Sequence, residues 1–227
     1  MAAPKWDDNS AQLQKNLSRV LEHLVDDADR RVMPHLGMAK QWHTMAMEGL
    51  DAEGEPLLIG RFRGEPGLEM VGVEIGGIKG TLPWDVAAAL EQFESRLQNV
   101  VRRLDELYPA GADLDTDGLQ AVINLAAWAH SDWVRIHPFA NGNGRTARAW
   151  ANFPLVRYGV PPAIRLRPRP DDPYGLACAM AMRGNWKPTA AVFASMISEA
   201  ITAPIARTSG RTAPKTPRAK RPTKKDD

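Results

Sequence analysis

His137-Pro138-Phe139-Ala140-Asn141-Gly142-Asn143-Gly144-Arg145-Thr146-Ala147-Arg148 joins a titratable imidazole, a glycine-rich turn and two guanidinium groups in one run. An imidazole takes up a proton near neutral pH, glycines let backbone N–H groups approach an anion, and arginines neutralise phosphate oxygens. The run is therefore suited to nucleotides. Phosphates laid on Gly142-Asn143-Gly144 would meet the unpaired N–H groups and the positive end of the helix that follows. Arg145 and Arg148 share a face of its first turn, where they can engage separate phosphate groups. His137, at the other end of the turn, is a candidate base for a hydroxyl that attacks phosphorus, a role worth roughly 10²–10⁴-fold.

Other phosphate loops fit less well. Gly142 to Ala147 matches the dinucleotide fingerprint only in its final-alanine form and follows a helical pattern, not a strand. No Walker lysine accompanies the glycines. The bland alternative is a glycine-rich connector with incidental histidine and arginines.

Outward from this run the chain reads as helices. Asp115, Thr116 or Asp117 can cap a helix whose apolar face, Leu119, Val122, Ile123, Ala126, Ala127, Trp133 and Val134, runs to Ile136. His130 falls on that stripe as a packing residue. Pro83 opens an earlier helix that extends to about Tyr108. Before it, Met70 to Gly77 alternates β-branched residues and ends in a glycine pair, the pattern of a strand entering a small exposed hairpin with Ile78 to Leu82 as partner. Two amphipathic helices are expected over 10–32 and 36–50, separated by Pro34. His35 and His43 read there as core-edge or surface residues, without a second ligand at metal-binding spacing. Downstream, 146–158 reads as a buried helix stopped by Gly159, with further helices near 173–183 and 188–205. The expected fold is mainly α, a helical bundle with one small hairpin. It divides into an N-terminal helical extension, 1–33, a domain, 34–205, and a basic disordered tail, 206–227.

Composition sets the class. A chain of 227 residues, 44% hydrophobic, is long enough for one sizeable core. Its single cysteine, Cys178, excludes an intramolecular disulfide framework. No apolar run is long enough to span a bilayer, and the start lacks a signal-peptide core, so a soluble cytoplasmic protein is expected. The formal charge of +2 conceals an asymmetry, for 207–227 holds eight Lys/Arg against two Asp, leaving a net of −4 for the rest. The tail reads as a solubilising extension, or alternatively as a tether to nucleic acid or an acidic partner.

The run from His137 to Arg148 resembles the signature of the Fic (filamentation induced by cAMP) family, His-Pro-Phe-x-Asp/Glu-Gly-Asn-Gly-Arg-x-x-Arg. Every fixed position matches except Asn141. The resemblance extends from about Trp42 to Ala200, because Gly60-Arg-Phe-Arg-Gly64, the hairpin and the helix before the signature fall in the family's order. It implies a helical bundle with a β-hairpin flap, and transfer of AMP from ATP to a Ser, Thr or Tyr hydroxyl of a target protein, as a toxin or a regulator. By similarity His137 is the base, and Gly142, Asn143 and Gly144 form the anion hole with the Asn143 side chain on a phosphate. Arg145 and Arg148 hold the outer phosphates, and Phe139 anchors the loop. Val71, Val73 and Ile75 belong to the flap that would pair with a target segment. A catalytically weak nucleotide-binding or interaction module, or transfer of another nucleotide or a phosphate, is the alternative.

Two positions qualify what the resemblance implies. Asn141 replaces the family's acidic magnesium ligand; an amide oxygen can still coordinate the cation but brings no negative charge, so magnesium is expected with Asn141 as a weak ligand and dependence on it is left open. Thr44-Met45-Ala46-Met47-Glu48-Gly49 matches by spelling the family's inhibitory pattern, Ser/Thr-x-x-x-Glu-Gly/Asn, whose glutamate pairs with the last arginine. Its place just before Gly60 instead resembles the core helix ahead of the flap. If Glu48 is not the inhibitor, a separate antitoxin-like partner can fill that role.

Overall fold

The computed structural model describes residues 4–6, 8–52 and 55–202. The tail expected over 206–227 lies outside the described residues. Seven helices form among them: α1 (Ala11–Asp29), α2 (Leu36–Met47), α3 (Val86–Leu107), α4 (Thr116–Ile136), α5 (Asn143–Arg157), α6 (Tyr174–Ala181) and α7 (Lys187–Thr202). One two-stranded antiparallel sheet, β1 (Glu74–Ile75) and β2 (Ile78–Lys79), completes the mainly α architecture. None of these helices is long and apolar enough to cross a membrane.

The apolar stripes bury as their spacing requires. Leu13, Leu17, Val20 and Leu24 line the inner face of α1, whose N-cap Ser10 accepts from the Leu13 N–H. Leu90, Phe93, Leu97, Val101 and Leu104 do the same for α3. α5 is different, because nearly every residue from Asn143 to Arg157 is buried. A helix apolar or buried all round belongs at the centre, and α5 packs against α4, α1 and α2. Around it Trp42, Trp133, Trp150, Phe93, Phe139 and Phe153 form a contiguous aromatic core, with Trp42 and Trp150 edge to face at 4.8 Å.

Two boundaries differ from the sequence expectation. α5 begins at Asn143, not near 146, so the glycine-rich run is the first turn of the helix. The hairpin has only two residues per strand, paired Glu74 to Lys79 and Ile75 to Ile78, where 70–77 and 78–82 were expected. Gly76 and Gly77 both take positive φ in its turn, as the tight primed hairpin turn demands. Beyond the named strands the Gly80 N–H still donates to the Val73 carbonyl, and the Val71 and Thr81 carbonyls accept from Arg63. Of the flap residues, Ile75 is in a strand and exposed, while Val71 and Val73 lie half-buried at the hairpin root.

Candidate active site

α4 ends on His137, which adopts the left-handed conformation at φ 54°, ψ 57°. A non-glycine residue there carries roughly 1–2 kcal/mol of strain, so something must hold it. The His137 N–H donates to the Trp133 carbonyl at 2.9 Å, and its own carbonyl accepts from Arg63 Nε at 2.7 Å. On the ring, Nδ1 faces the Val134 carbonyl at 3.0 Å. A carbonyl only accepts, so Nδ1 carries the proton and Nε2 keeps its lone pair. Burial pushes the imidazole down to about 4, against the pull of the Val134 bond, and the Arg63 charge adds to the depression. His137 is therefore neutral at pH 7 and has a free base nitrogen by tautomer.

The loop from His137 into α5 is closed by one side chain. Asn143 Oδ1 accepts from the Phe139 N–H at 2.8 Å, and Asn143 Nδ2 donates to the Phe139 carbonyl at 2.7 Å. The structure thus spends the Asn143 amide on the loop itself. Phe139 is buried, stacked on His43 at 4.0 Å and 4.9 Å from Phe62. His43 Nδ1 accepts from the Gly60 N–H and Nε2 donates to the Asn141 carbonyl, both at 3.0 Å. Burial, assisted by the Arg145 charge, holds His43 down to about 4 and so in this neutral form. Gly142 sits at φ 76°, and a Cβ there would come within 2.8 Å of Met47 Cε and 3.1 Å of His43 Nε2. Only glycine satisfies both constraints.

α5 then presents its N-terminus. The Arg145 and Thr146 N–H groups bond to the Gly142 carbonyl, while those of Asn143 and Gly144 meet no acceptor among the described residues. Two backbone donors and the positive end of a 15-residue helix are chemically suited to an anion. Arg145 and Arg148 flank it, both buried. Arg145 Nη1 donates to the Trp6 carbonyl at 2.7 Å, and Nη2 lies 3.3 Å from Asn141 Oδ1. Arg148 donates through Nε and Nη2 to the Leu166 carbonyl and through Nη1 to the Tyr174 hydroxyl at 3.2 Å. The same Nη1 would lie 3.2 Å from a Cβ on Gly144, which places it against the first turn of α5. The Tyr174 hydroxyl also hydrogen-bonds His130 Nε2 at 2.7 Å, so the packing histidine of α4 supports this arginine at second hand.

Glu48 and Arg148 are not brought together. The Glu48 carboxylate pairs with Arg19 of α1, and the Asn16 amide fixes the Glu48 carbonyl. Trp6, Arg63, His43 and Tyr174 are the residues that sequence reasoning did not assign to the site. Only Arg63 had a signal, inside Gly60-Arg-Phe-Arg-Gly64.

The residues present do not fit magnesium. Asn141 Oδ1 already accepts from the Gly142 N–H and lies beside the Arg145 guanidinium. An uncharged, engaged oxygen next to a fixed cation is a poor ligand for a hard divalent ion.

At the hairpin root a groove of about 370 Å³ is lined by Arg63, Met70, Val73, Thr81, Leu82 and Trp84. Met70 and Trp84 are 85% and 66% exposed. A larger cavity of about 640 Å³, between α7 and the segment before α6, touches none of the residues from His137 to Arg148.

Comparison with known proteins gives the same picture. The family model described as the Fic/DOC family matches residues 35–155. The protein adenylyltransferase Fic of Drosophila persimilis is 37% identical over 92 residues, which is 40% of this chain and 15% of that protein. That of Drosophila grimshawi is equally similar, with 16% of its length matched. The chain thus matches about a sixth of the length of these curated relatives. Among solved structures, a Fic domain-containing signaling protein from Bacteroides thetaiotaomicron superposes with a TM-score of 0.57 at 17% identity, over 84% of this chain and 70% of that one. BepC, a VirB-translocated effector of Bartonella tribocorum solved with bound AMPPNP, gives 0.52 at 20% identity, over 81% and 86%. At such identities these two likenesses concern the fold.

Proposed function

Because this chain belongs to the Fic/DOC family, whose model spans more than half of it, we propose that it transfers AMP from ATP to a hydroxyl side chain of a target protein. The observation that carries the reading is His137, held as the neutral Nδ1–H tautomer at the loop leading to the N-terminus of α5. The target oxygen attacks the α-phosphorus and gives its proton to His137 Nε2. The bond from that phosphorus to the α–β bridging oxygen breaks, and pyrophosphate leaves. The Asn143 and Gly144 N–H groups face the developing charge, and Arg145 and Arg148 are the cations nearest to the leaving phosphates. The names of the Drosophila relatives support adenylyl transfer, and the AMPPNP on the Bartonella protein supports ATP as donor. The target segment would lie along the hairpin edge, with a neighbouring apolar side chain in the groove beside Trp84. Mass spectrometry after incubation with ATP and a lysate tests this. An added AMP on Ser, Thr or Tyr supports it, and its absence from every protein counts against it.

A second reading follows from Asn141. Its amide oxygen is engaged and both motif arginines are covered, an arrangement that also suits a nucleotide-binding module with little turnover. It predicts ATP binding by calorimetry without release of pyrophosphate.

A further inference from the structure

Arg63, only 2% exposed, is a buried cation that the proposed chemistry leaves unused. Its guanidinium donates to four backbone carbonyls: Ile136 at 3.1 Å, His137 at 2.7 Å, Val71 at 3.1 Å and Thr81 at 2.8 Å. Its own N–H donates to the Pro138 carbonyl at 2.7 Å. Two of the four carbonyls are at the end of α4, and the other two are at the two roots of the hairpin. We propose that Arg63 is a positioning residue that ties the hairpin to His137, so that the strand edge offered to a target and the base that acts on it move as one body.

The proposal rests on reading His137 as the base. Four features support it. Arg63 forms no ion pair among the described residues, so its charge is balanced by carbonyl dipoles alone. Burial brings it down to about 10, which leaves it protonated at neutral pH. The last carbonyls of a helix lack intrahelical partners, and a cation there is favoured by the helix dipole. Finally, the planar fork of arginine can reach several acceptors at fixed angles, which the single ammonium of lysine cannot. The hairpin also passes close to the histidine, since a Cβ added at Gly80 would lie 3.1 Å from His137 Cβ.

Amide hydrogen exchange on the full chain tests the link. In Arg63→Lys the His137 amide, bonded to Trp133, and the Gly80 amide, bonded to Val73, should both exchange about tenfold faster or more, while Val20 and Phe193 keep their wild-type rates. AMPPNP affinity should stay within about twofold, and AMP transfer should fall about tenfold, as expected for a misplaced base. Loosening of only one of the two amides overturns the proposal. So does parallel loosening of Val20 and Phe193, which would make Arg63 a general stabiliser. Should Arg63→Lys not fold, Gly80→Ala reads the link from the other side. The added methyl should displace the His137 imidazole resonances, and unmoved resonances overturn the proposal. If wild-type protein transfers no AMP yet the two amides respond together, the catalytic reading fails and the tie stands.

Discussion

The backbone carbonyl of Trp6 accepts a hydrogen bond from Arg145 Nη1 at 2.7 Å, and the strand-like segment that supplies it is pinned to Asp51 by bonds at both Trp6 and Pro4. Trp6 is buried in the core and Arg145 is 5% exposed, so the arginine that the proposed function assigns to a phosphate already meets the protein's own backbone. Trp6→Ala should weaken this strap. Loss of a buried indole destabilises by about 3–5 kcal/mol. Even so, calorimetry at a temperature where the variant is folded should show AMPPNP bound about threefold to thirtyfold more tightly, because the loosened Trp6 carbonyl, one of the acceptors on Arg145, competes less with a phosphate oxygen. Unchanged or weaker binding would make the contact purely structural.

The pH profile of AMP transfer follows from His137. With the folded imidazole at about 4, the base form is fully populated at neutral pH. Activity should hold level from about pH 8 to 6 and fall only toward 4. An acid limb centred near the ordinary histidine value of about 6.5 would contradict the buried, Arg63-facing environment.

Stability should depend on pH through three imidazoles. Burial lowers His43 and His137 to about 4 and His130 to about 3. Each stays neutral in the folded chain but takes up a proton near 6.5 once unfolded. Their contribution is therefore complete above about 6.5 and is lost as pH falls toward 4. Urea midpoints at about pH 7.5 and 5 test this, with the lower midpoint expected at 5. Equal midpoints would mean that these rings are solvated.

Asn141→Asp restores a carboxylate 3.3 Å from Arg145 Nη2 and supplies the charge that the amide lacks. Transfer in the presence of magnesium should rise about tenfold and become sensitive to chelator, since a carboxylate is a far better ligand for a hard cation. If the variant gains neither activity nor chelator sensitivity, the amide is not what limits the wild-type chain.

The helices were legible because burial imposes a 3.6-residue period, and α1, α3 and α4 each lie within a few residues of where that period placed them. His137, Gly142, Gly144, Arg145 and Arg148 were legible as a group because a short loop brings them together along the chain. The supports were not. His43 reaches Asn141, Arg63 reaches His137 and Trp6 reaches Arg145 across long stretches of sequence, and no local pattern encodes such pairings. The early start of α5 was hidden for a related reason. Gly142 and Asn143 read as turn formers, but the left-handed glycine and the Asn143 bridge to Phe139 instead launch the helix. The contacts of the hairpin root were equally hidden, for Arg63 reaches the Val71 and Thr81 carbonyls from outside the strands.

ATP labelled at the α or the γ phosphate decides whether the chain transfers AMP with His137 as base. α label, but not γ label, is expected to become covalently attached to protein, and His137→Ala to abolish the attachment. Attachment from neither position, or no loss in His137→Ala, would contradict it, and attachment of γ label alone would show phosphoryl transfer instead.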